Sequence, residues 1–329
     1  LASDMGWPYM LIDWQWYGPY NQPDADITTV APSVDMDEVR RFARNKNVCL
    51  WLWLYWSDAA RNYEDAFALY EKWGIAGVKI DFMQRDDQEM VNWYRDIVKK
   101  AAEHHLMVNF HGSFKPDGFR RTYPNLMTRE GVLGNEYSKW SERITPEHNI
   151  TIAFTRMLAG PMDYTPGGFL NKTPEEFRPG SPAHVMNTRA HQLATFVVYE
   201  SSIITVCDHP NHYKNEPGIE FLKYVPATWD ETKVLGGEPG EYVCIARRKG
   251  NRWFLGILNN SFEKEIEVSL SFMEEGNYQA KIFADAKDAG IYPEKLEISS
   301  PNVSDTNRLS IKMAPGGGFA AWFENLNKK

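Results

Sequence analysis

The sequence is poor in cysteine. Its 329 residues include three, Cys49, Cys207 and Cys244, and none of them forms a C-x-x-C pair. An odd count without that spacing gives no sign of a disulfide framework or a zinc site. Because each cysteine lies in an apolar, strand-like run, we expect a buried free thiol at each position.

Positive charge is also in deficit. Lys and Arg number 36 against 44 Asp and Glu, which gives a formal net charge of -8 and a pI near 5.6. A nucleic-acid partner would need a basic stripe to offset its phosphate charge. The composition therefore argues against nucleic acid and favours a small neutral substrate.

Long apolar runs are missing as well. No stretch approaches the roughly 18 apolar residues of a membrane-spanning helix, so we expect no membrane partner. We also expect no signal peptide at the start of the chain, where the first residue already has the pattern of a helix interior.

Aromatic residues, in contrast, are abundant. They make up 14% of the chain and include 12 tryptophans, with clusters at residues 14–17 and 51–56. Aromatic faces stack on the C–H faces of sugar rings, but they also fill protein cores. Both roles stay open at this point.

The first two thirds of the chain alternate apolar β-type runs with helical patterns, which indicates parallel βαβ units. Helices are expected at residues 35–45, 63–73, 87–104 and 181–200, and strands at 9–13, 48–55, 77–83, 106–111, 126–129, 151–155 and 203–208. Seven strands are one short of a (β/α)8 TIM-type barrel, so the first strand is expected before residue 1. An open doubly wound sheet is the rival, but its glycine-rich phosphate turn is absent.

The pattern changes after residue 228. Short alternating strands separated by turns are expected at residues 242–247, 253–259, 265–270, 278–284, 295–298, 309–313 and 319–323. This pattern predicts a C-terminal antiparallel β-sandwich. We therefore expect an α/β barrel domain over residues 1–228 and a β-sandwich domain over residues 229–329.

Polar residues recur at the predicted carboxyl ends of the barrel strands, where barrel active sites form. Asp81 ends one such strand, and the period of two places Lys79 on the same face. A nearby cation favours the ionised carboxylate that a nucleophile requires. A structural ion pair is the alternative.

A second carboxylate pair follows another predicted strand. Glu130 and Glu136 lie six residues apart in a glycine-containing loop with no helical period. Such a loop can aim both side chains inward. Paired carboxylate oxygens suit calcium, although no EF-hand pattern is present.

Several segments together resemble glycoside hydrolase family 97 in order and spacing. They are residues 5–13, 77–83, 111–116, 121–125, 130–137, 163–168, 226–230 and 313–320, so the resemblance covers nearly the whole chain. It implies a calcium-assisted glycosidase of the periplasm or the cell exterior.

Two positions relate the chain to the retaining branch of that family, which includes α-galactosidases. Inverting members carry glutamate directly after the histidine of the fifth barrel strand and lack an aspartate on the fourth. Here Gly112 follows His111, and Asp81 is present. The resemblance then implies Asp81 as nucleophile, Glu136 as acid/base, and Glu130 with Glu136 at the calcium. A retaining pair is expected roughly 5 to 5.5 Å apart.

Supporting roles are assigned to further polar and aromatic residues. Asp13 could accept hydrogen bonds from sugar hydroxyls or act as a structural cap, and Trp14 or Trp16 could stack on the sugar. Lys79 could bind a hydroxyl. His111 could contact the sugar or be a structural group. Asp163 could contact substrate or stabilise its own loop.

The resemblance also implies what this chain would lack. Family members carry a large N-terminal β-sandwich that typically supplies a calcium ligand, so we expect weak or no activity from this chain alone unless a separate polypeptide provides that domain. The expected substrate is a terminal α-galactoside. A β-L-arabinopyranosidase, an α-glucosidase or a catalytically inactive carbohydrate-binding fragment are the alternatives.

Overall fold

A computed structural model describes residues 1–326. The chain forms two compact units, Leu1–Gly131 and Val132–Lys329. Each unit is described by itself below. The predicted domain boundary after residue 228 stays a prediction.

The first unit is a parallel sheet with helices between its strands. The strands pair side by side in chain order, all parallel. This confirms the first five predicted strands and the βαβ pattern. The elements are α1 (Ala2–Met5), β1 (Tyr9–Ile12), α2 (Met36–Asn45), β2 (Cys49–Tyr55), α3 (Trp56–Trp73), β3 (Gly77–Asp81), α4 (Gln88–Glu103), β4 (Met107–Phe110) and β5 (Leu126–Arg129).

Most residues of these strands are apolar because both sheet faces are covered. Leu52, Leu54, Val78 and Ile80 are completely buried. Two of these helices begin at aspartates that accept backbone hydrogen bonds: the carboxylate of Asp35 caps α2, and that of Asp87 caps α4. Strands β2 and β5 end where they were predicted, whereas β1, β3 and β4 end one or two residues earlier.

The second unit begins with helices and loops. Its helices are α5 (Pro146–Phe154), α6 (Arg189–Val198), α7 (Pro210–Tyr213) and α8 (Ile219–Tyr224), and 3-10 turns lie at Asn135–Lys139 and Arg156–Ala159. Helix α6 is shorter than the predicted helix at 181–200, because Thr188 caps its start by accepting from the N–H of His191.

Two predicted barrel strands are wrong. Residues 151–155 lie in α5 and the turn after it: Thr145 caps that helix and Pro146 occupies its first turn, so a short apolar run became helical. Residues 203–208 form no strand, because single hydrogen bonds to a side chain and to a loop carbonyl hold this segment in place of a strand ladder. The N–H of Thr205 bonds to Asp163 Oδ1 at 3.1 Å, and the N–H of Cys207 bonds to Pro166 O at 3.1 Å.

The rest of the second unit is antiparallel β-structure, as expected. The strands are β6 (Glu231–Glu238), β7 (Tyr242–Lys249), β8 (Arg252–Asn259), β9 (Lys264–Ser269), β10 (Asn277–Asp285), β11 (Leu296–Ser299), β12 (Asn302–Ser304), β13 (Arg308–Met313) and β14 (Gly318–Asn325). A seven-stranded sheet runs in the order β11-β10-β14-β8-β7-β6 with β12 also paired to β10, and β9 pairs with β13 in a second sheet. Strands β6 and β12 were not predicted.

The two sheets share one core, which makes the sandwich. Val268 of β9 and Ile311 of β13 belong to the same buried cluster as Leu255 and Phe323 of the larger sheet. Helix α6 packs closely on that sheet at Gly256, where a β-carbon would lie 2.8 Å from Ala194 O. Only glycine permits this approach of helix to strand.

The cysteine prediction is partly wrong. Cys244 is buried and Cys207 half-buried, but Cys49, at the first position of β2, is exposed; all three are free. Within residues 1–326, no helix is both long and apolar enough to cross a membrane.

Candidate active site

The carboxyl edge of the parallel sheet collects polar side chains. Asp81 is the last residue of β3, His111 follows β4 and Glu130 follows β5. Because these strands are parallel and adjacent, their ends lie at one edge of the sheet. The first unit thus brings together three of the predicted site residues. Lys79 lies two residues before Asp81 on the same face of β3.

The Asp81 carboxylate is held from three sides. Its Oδ2 accepts a hydrogen bond from Trp53 Nε1 at 3.0 Å and lies 4.0 Å from Lys79 Nζ. Its Oδ1 accepts from the backbone N–H of Phe82 at 2.7 Å. The side chain keeps 13% of its surface exposed, so the carboxylate is fixed in orientation yet open to a small molecule.

The residue after Asp81 adopts an unusual backbone conformation. Phe82 has φ of 68°, a region that bulky residues rarely occupy. Gly112 lies against it: a β-carbon there would be 2.8 Å from Phe82 N and 3.2 Å from Asp81 Oδ1. Strain of this kind is common at functional sites, where surrounding structure holds it in place.

The half-buried Glu130 and the buried His111 form a pair beside this carboxylate. Glu130 Oε1 lies 3.6 Å from His111 Nδ1, and Oε2 accepts from the N–H of Gly112 at 2.7 Å. Burial raises the pKa of the Glu130 carboxyl above its usual range, and the charge of Asp81 raises it further. His111, the Gly112 N–H and Lys79 oppose that rise in pKa. A cation beside Glu130 would therefore stabilise the ionised form of its carboxyl group.

Asp13 and Trp14, which follow β1, are exposed; 55% of the Trp14 surface is accessible. Trp16 is buried and donates from Nε1 to Trp53 O at 2.7 Å, so its ring belongs to the core. Of the two tryptophans considered for stacking, the structure leaves Trp14 accessible.

Glu136 lies in the second unit, on the 3-10 turn Asn135–Lys139. Its Oε1 is 3.1 Å from Lys139 Nζ, its N–H donates to Thr165 Oγ1 at 3.3 Å, and 35% of its side chain is exposed. Glu136 thus presents a partly exposed carboxylate beside the Lys139 ammonium group.

A buried amide network anchors this turn. Asn135 donates from Nδ2 to Gln192 Oε1 at 2.8 Å and accepts from Tyr164 OH at 3.2 Å. Gln192 Oε1 also accepts from the N–H groups of Gly167 and Gly168, each at 3.0 Å. Because these polar groups satisfy one another away from water, they fix the position of the neighbouring Glu136.

Asp163 is completely buried. Its Oδ1 and Oδ2 accept from the N–H and hydroxyl of Thr205 at 3.1 and 2.9 Å. These contacts match the loop-stabilising alternative, since they tie the loop at 163–168 to the segment at 203–208. Its role in substrate contact stays a prediction.

Some functional groups escaped sequence reasoning. Trp53 was noted only as part of an aromatic cluster, and its hydrogen bond to Asp81 follows from strand register, because Trp53 pairs with Lys79 across β2 and β3. Lys139 could have been found, because it lies three residues after Glu136 on a short turn. Gln192 gave no signal, because its partners are distant in sequence.

Comparison with known proteins gives the family. Residues 1–132 match the family model described as "Glycoside hydrolase 97", and residues 228–324 match the one described as "Glycosyl-hydrolase 97 C-terminal, oligomerisation". A Bacteroides thetaiotaomicron protein named "Retaining alpha-galactosidase" is 36% identical over 323 residues, which are 97% of this chain and 48% of that protein. The chain spans about half the length of this curated relative.

Solved structures agree with this match. A glycoside hydrolase family 97 enzyme from Pseudoalteromonas sp. strain K8 in complex with acarbose has a TM-score of 0.90 at 33% identity, over 99% of this chain and 55% of that one. A β-arabinopyranosidase has a TM-score of 0.82 at 28% identity, over 98% of this chain and 51% of that one.

These matches confirm the expected fold class, a (β/α)8-type barrel followed by a C-terminal antiparallel β-domain. The family models and the structural match lead to one conclusion: the chain belongs to glycoside hydrolase family 97.

Proposed function

We propose that this chain carries the catalytic residues of a retaining, exo-acting α-glycoside hydrolase that cleaves terminal α-galactosides. The observation that carries the proposal is the Asp81 carboxylate at the end of β3, oriented by Trp53 Nε1 at 3.0 Å and the Phe82 N–H at 2.7 Å. The Bacteroides relative, named a retaining α-galactosidase, supports the choice of sugar.

In the proposed mechanism, Asp81 is the nucleophile and Glu136 the acid/base. A carboxylate oxygen of Asp81 bonds to the anomeric carbon while the bond to the leaving oxygen breaks, and Glu136 gives that oxygen its proton. Glu136 then takes a proton from water, whose oxygen replaces Asp81 at the same carbon. Two inversions retain the configuration. The proposal requires carboxyl groups roughly 5 to 5.5 Å apart in the working enzyme.

The remaining residues of the first unit support the nucleophile. Trp53 and the Phe82 N–H aim the carboxylate, and Lys79, at 4.0 Å, places a positive charge beside it. In this proposal Asp13, Trp14, Lys79 and His111 contact the sugar, and Asp163 holds the loop that faces it.

We further propose that Glu130 and Glu136 hold calcium. Glu130 fits this ion because it offers carboxylate oxygens, the donors calcium prefers, and because its burial raises its pKa and leaves its negative charge in need of compensation. The His111 ring, 3.6 Å from Glu130, is better suited to orienting that carboxylate. When bound, calcium would supply positive charge to the oxygen atoms of the site.

Chemical rescue of the nucleophile tests the catalytic proposal. Asp81→Gly in the full-length protein is expected to lose at least a thousandfold in turnover of 4-nitrophenyl α-galactoside, and azide is expected to restore turnover by taking the vacated position. The product would be a galactosyl azide of inverted configuration. Asp86→Gly, an exposed aspartate in the following loop, is the control and should behave like the wild type. Near-wild-type turnover by Asp81→Gly without azide contradicts the assignment.

A chelator titration tests the metal proposal. Removal of calcium should abolish turnover, and calcium should restore it; Glu130→Gln should require more calcium for half-maximal recovery, because it loses one charged ligand. Recovery curves that coincide for wild type and variant would remove Glu130 from the ligand set.

Specificity is tested on three 4-nitrophenyl glycosides with one leaving group: α-galactoside, β-L-arabinopyranoside and α-glucoside. The proposal expects the highest kcat/KM for the galactoside. The β-arabinopyranosidase among the matched structures makes the arabinopyranoside the second candidate. A full-length protein that binds these sugars but turns over none would be the inactive carbohydrate-binding alternative.

A further inference from the structure

Four aromatic side chains lie around Asp81. Of these, the proposal above uses only Trp14, as a sugar contact, and the backbone N–H of Phe82. Trp14, Tyr20, Tyr55 and Phe82, here called the aromatic platform, follow or end β1, β2 and β3. The rings of Tyr20, Tyr55 and Phe82 are nearly parallel, with interplanar angles of 8° to 27°. Their centroids lie 5.3 to 6.4 Å apart, and Trp14 lies 5.5 Å from Tyr20.

The aromatic platform is accessible although it is apolar. Trp14 exposes 55% of its surface and Phe82 38%, while Tyr20 and Tyr55 are half-buried. Phe82 also holds a φ of 68°. A role in the core explains neither the exposure of Trp14 and Phe82 nor the strained backbone of Phe82. Exposed aromatic rings on a strained backbone are typical of a ligand-binding surface.

The aromatic platform is continuous with the nucleophile. Phe82 is the next residue after Asp81 and donates its N–H to that carboxylate. Trp53, whose Nε1 donates to Asp81, lies edge-on against Tyr20 at 5.3 Å and against Phe82 at 6.2 Å. Burial contributes most to the raised pKa of the Tyr55 hydroxyl, followed by the charge of Asp58. Tyr20 and the charge of Asp81 raise this pKa further, so the Tyr55 ring lies within electrostatic reach of the Asp81 carboxylate.

In-line displacement decides which part of a substrate meets these rings. A nucleophile attacks the anomeric carbon from the side opposite the departing oxygen, so groups that touch the nucleophile lie on the side of the transferred sugar. The aromatic platform therefore belongs to the subsite of the transferred sugar, while the leaving group lies on the other side of the scissile bond.

We infer that the aromatic platform is the wall that recognises the transferred sugar and selects a hexopyranose over a pentopyranose. This inference rests on the proposed function and goes further, because it assigns the choice between galactoside and arabinopyranoside to named residues. The two sugars share most hydroxyl orientations and differ by the exocyclic CH2OH group. One carbon more against an apolar wall changes kcat/KM by about tenfold or more, which is enough to decide between the two.

The test compares two substrate series on Phe82→Leu and Trp14→Leu in the full-length protein. The first series varies the sugar with a constant leaving group, 4-nitrophenyl α-galactoside against β-L-arabinopyranoside. The second varies the leaving group with galactose constant, 4-nitrophenyl galactoside against α-galactosyl fluoride. Leucine keeps an apolar side chain and removes the flat ring. Phe42→Leu is the matched control, because Phe42 is also an exposed phenylalanine (60%) but lies on α2.

Both variants should lower the galactoside to arabinopyranoside ratio of kcat/KM by about tenfold and leave the leaving-group ratio unchanged. Phe42→Leu should change neither ratio. Equal losses on both sugars would show a packing role, and a change in the leaving-group ratio alone would place the rings beyond the scissile bond; either result overturns the inference. A wild type that hydrolyses neither sugar overturns the proposed function instead, and this inference with it.

Discussion

Asp81 lies so close to Gly112 that position 112 has no room for a side chain. A β-carbon on residue 112 would lie 3.2 Å from Asp81 Oδ1 and 2.8 Å from the backbone nitrogen that donates to that oxygen. The same glycine donates its own N–H to Glu130 Oε2 at 2.7 Å. One small residue thus leaves room for the Asp81 carboxylate and orients the neighbouring Glu130 carboxylate. In this chain, the position of Asp81 at the end of β3 therefore requires a residue without a side chain after His111.

Gly112→Ala is expected to lower kcat/KM by at least tenfold because the added methyl group displaces the Asp81–Phe82 segment. Gly118→Ala is the matched control. Both glycines have positive φ, 54° and 85°, so both variants carry similar backbone strain, but nothing lies within 4 Å of a β-carbon at position 118. Kinetics and thermal unfolding of both variants separate the two effects. Equal loss of activity in both would mean that strain, and not the contact with Asp81, is responsible.

Trp53→Phe is expected to lower kcat by roughly ten- to a hundredfold, because it removes one charge-assisted hydrogen bond from Asp81 while keeping an aromatic ring in the core. Trp51→Phe on the same strand is the control: Trp51 is also buried, and its Nε1 has no hydrogen-bond partner among residues 1–326. The comparison uses kcat on 4-nitrophenyl α-galactoside. If both variants lose activity alike, the effect comes from packing in β2.

The sequence predicted the parallel sheet because its strands are mostly apolar runs with a polar residue at or just after the carboxyl end. The same criterion failed at residues 151–155, where the apolar run was short and the helix start at Thr145 and Pro146 was overlooked. It failed again at 203–208, because hydrogen bonds donated to distant residues such as Asp163 hold that segment, and no local pattern records them. Strand β6 was missed because charged ends and paired glycines mask its alternation.

For the candidate site too, local features could be predicted and long-range contacts could not. Residues at strand ends, such as Asp81, His111 and Glu130, could be predicted from position and residue type alone. The contacts that orient them could not, because they depend on strand register and on backbone conformation. The positive φ of Phe82 and the indole N–H aimed at Asp81 are examples.

Glu136→Ala tests the acid/base assignment through the leaving group. A substrate with a good leaving group, such as a dinitrophenyl galactoside, needs little protonation, so its first step should survive, whereas an alkyl galactoside should lose at least a thousandfold in kcat/KM. Azide should accelerate turnover and give a product of retained configuration, because it replaces water in the second step. Glu142→Ala, an exposed glutamate in the same unit, is the control. Equal loss on both leaving groups contradicts an acid/base role.

Asp285 gives the fold a pH dependence that is independent of catalysis. This carboxyl ends β10 and accepts at Oδ2 from the N–H groups of Ala314 and Gly318, each at 3.0 Å. Burial raises its pKa from 3.8 to about 6, although those hydrogen bonds and one from Thr188 oppose the rise. Between these two values the folded protein keeps a proton that the unfolded chain has lost. The free energy of unfolding therefore falls as pH rises through this window, by about 3 kcal/mol in total.

Asp285→Asn removes that dependence, because the amide stays neutral and its oxygen can accept the same backbone hydrogen bonds. The difference in melting temperature between this variant and the wild type should grow in favour of the variant from pH 4 to pH 6 and stay constant above pH 6. Asp230→Asn is the opposite control: hydrogen bonds from the Gly250 N–H and Lys249 lower the pKa of Asp230 below 3.8, so its ionised form stabilises the fold. That variant should become less stable relative to the wild type as pH rises towards about 4, and the difference should stay constant from pH 4 to pH 6. Thermal unfolding at constant ionic strength measures both. A constant difference between Asp285→Asn and wild type would show that Asp285 titrates alike in both states.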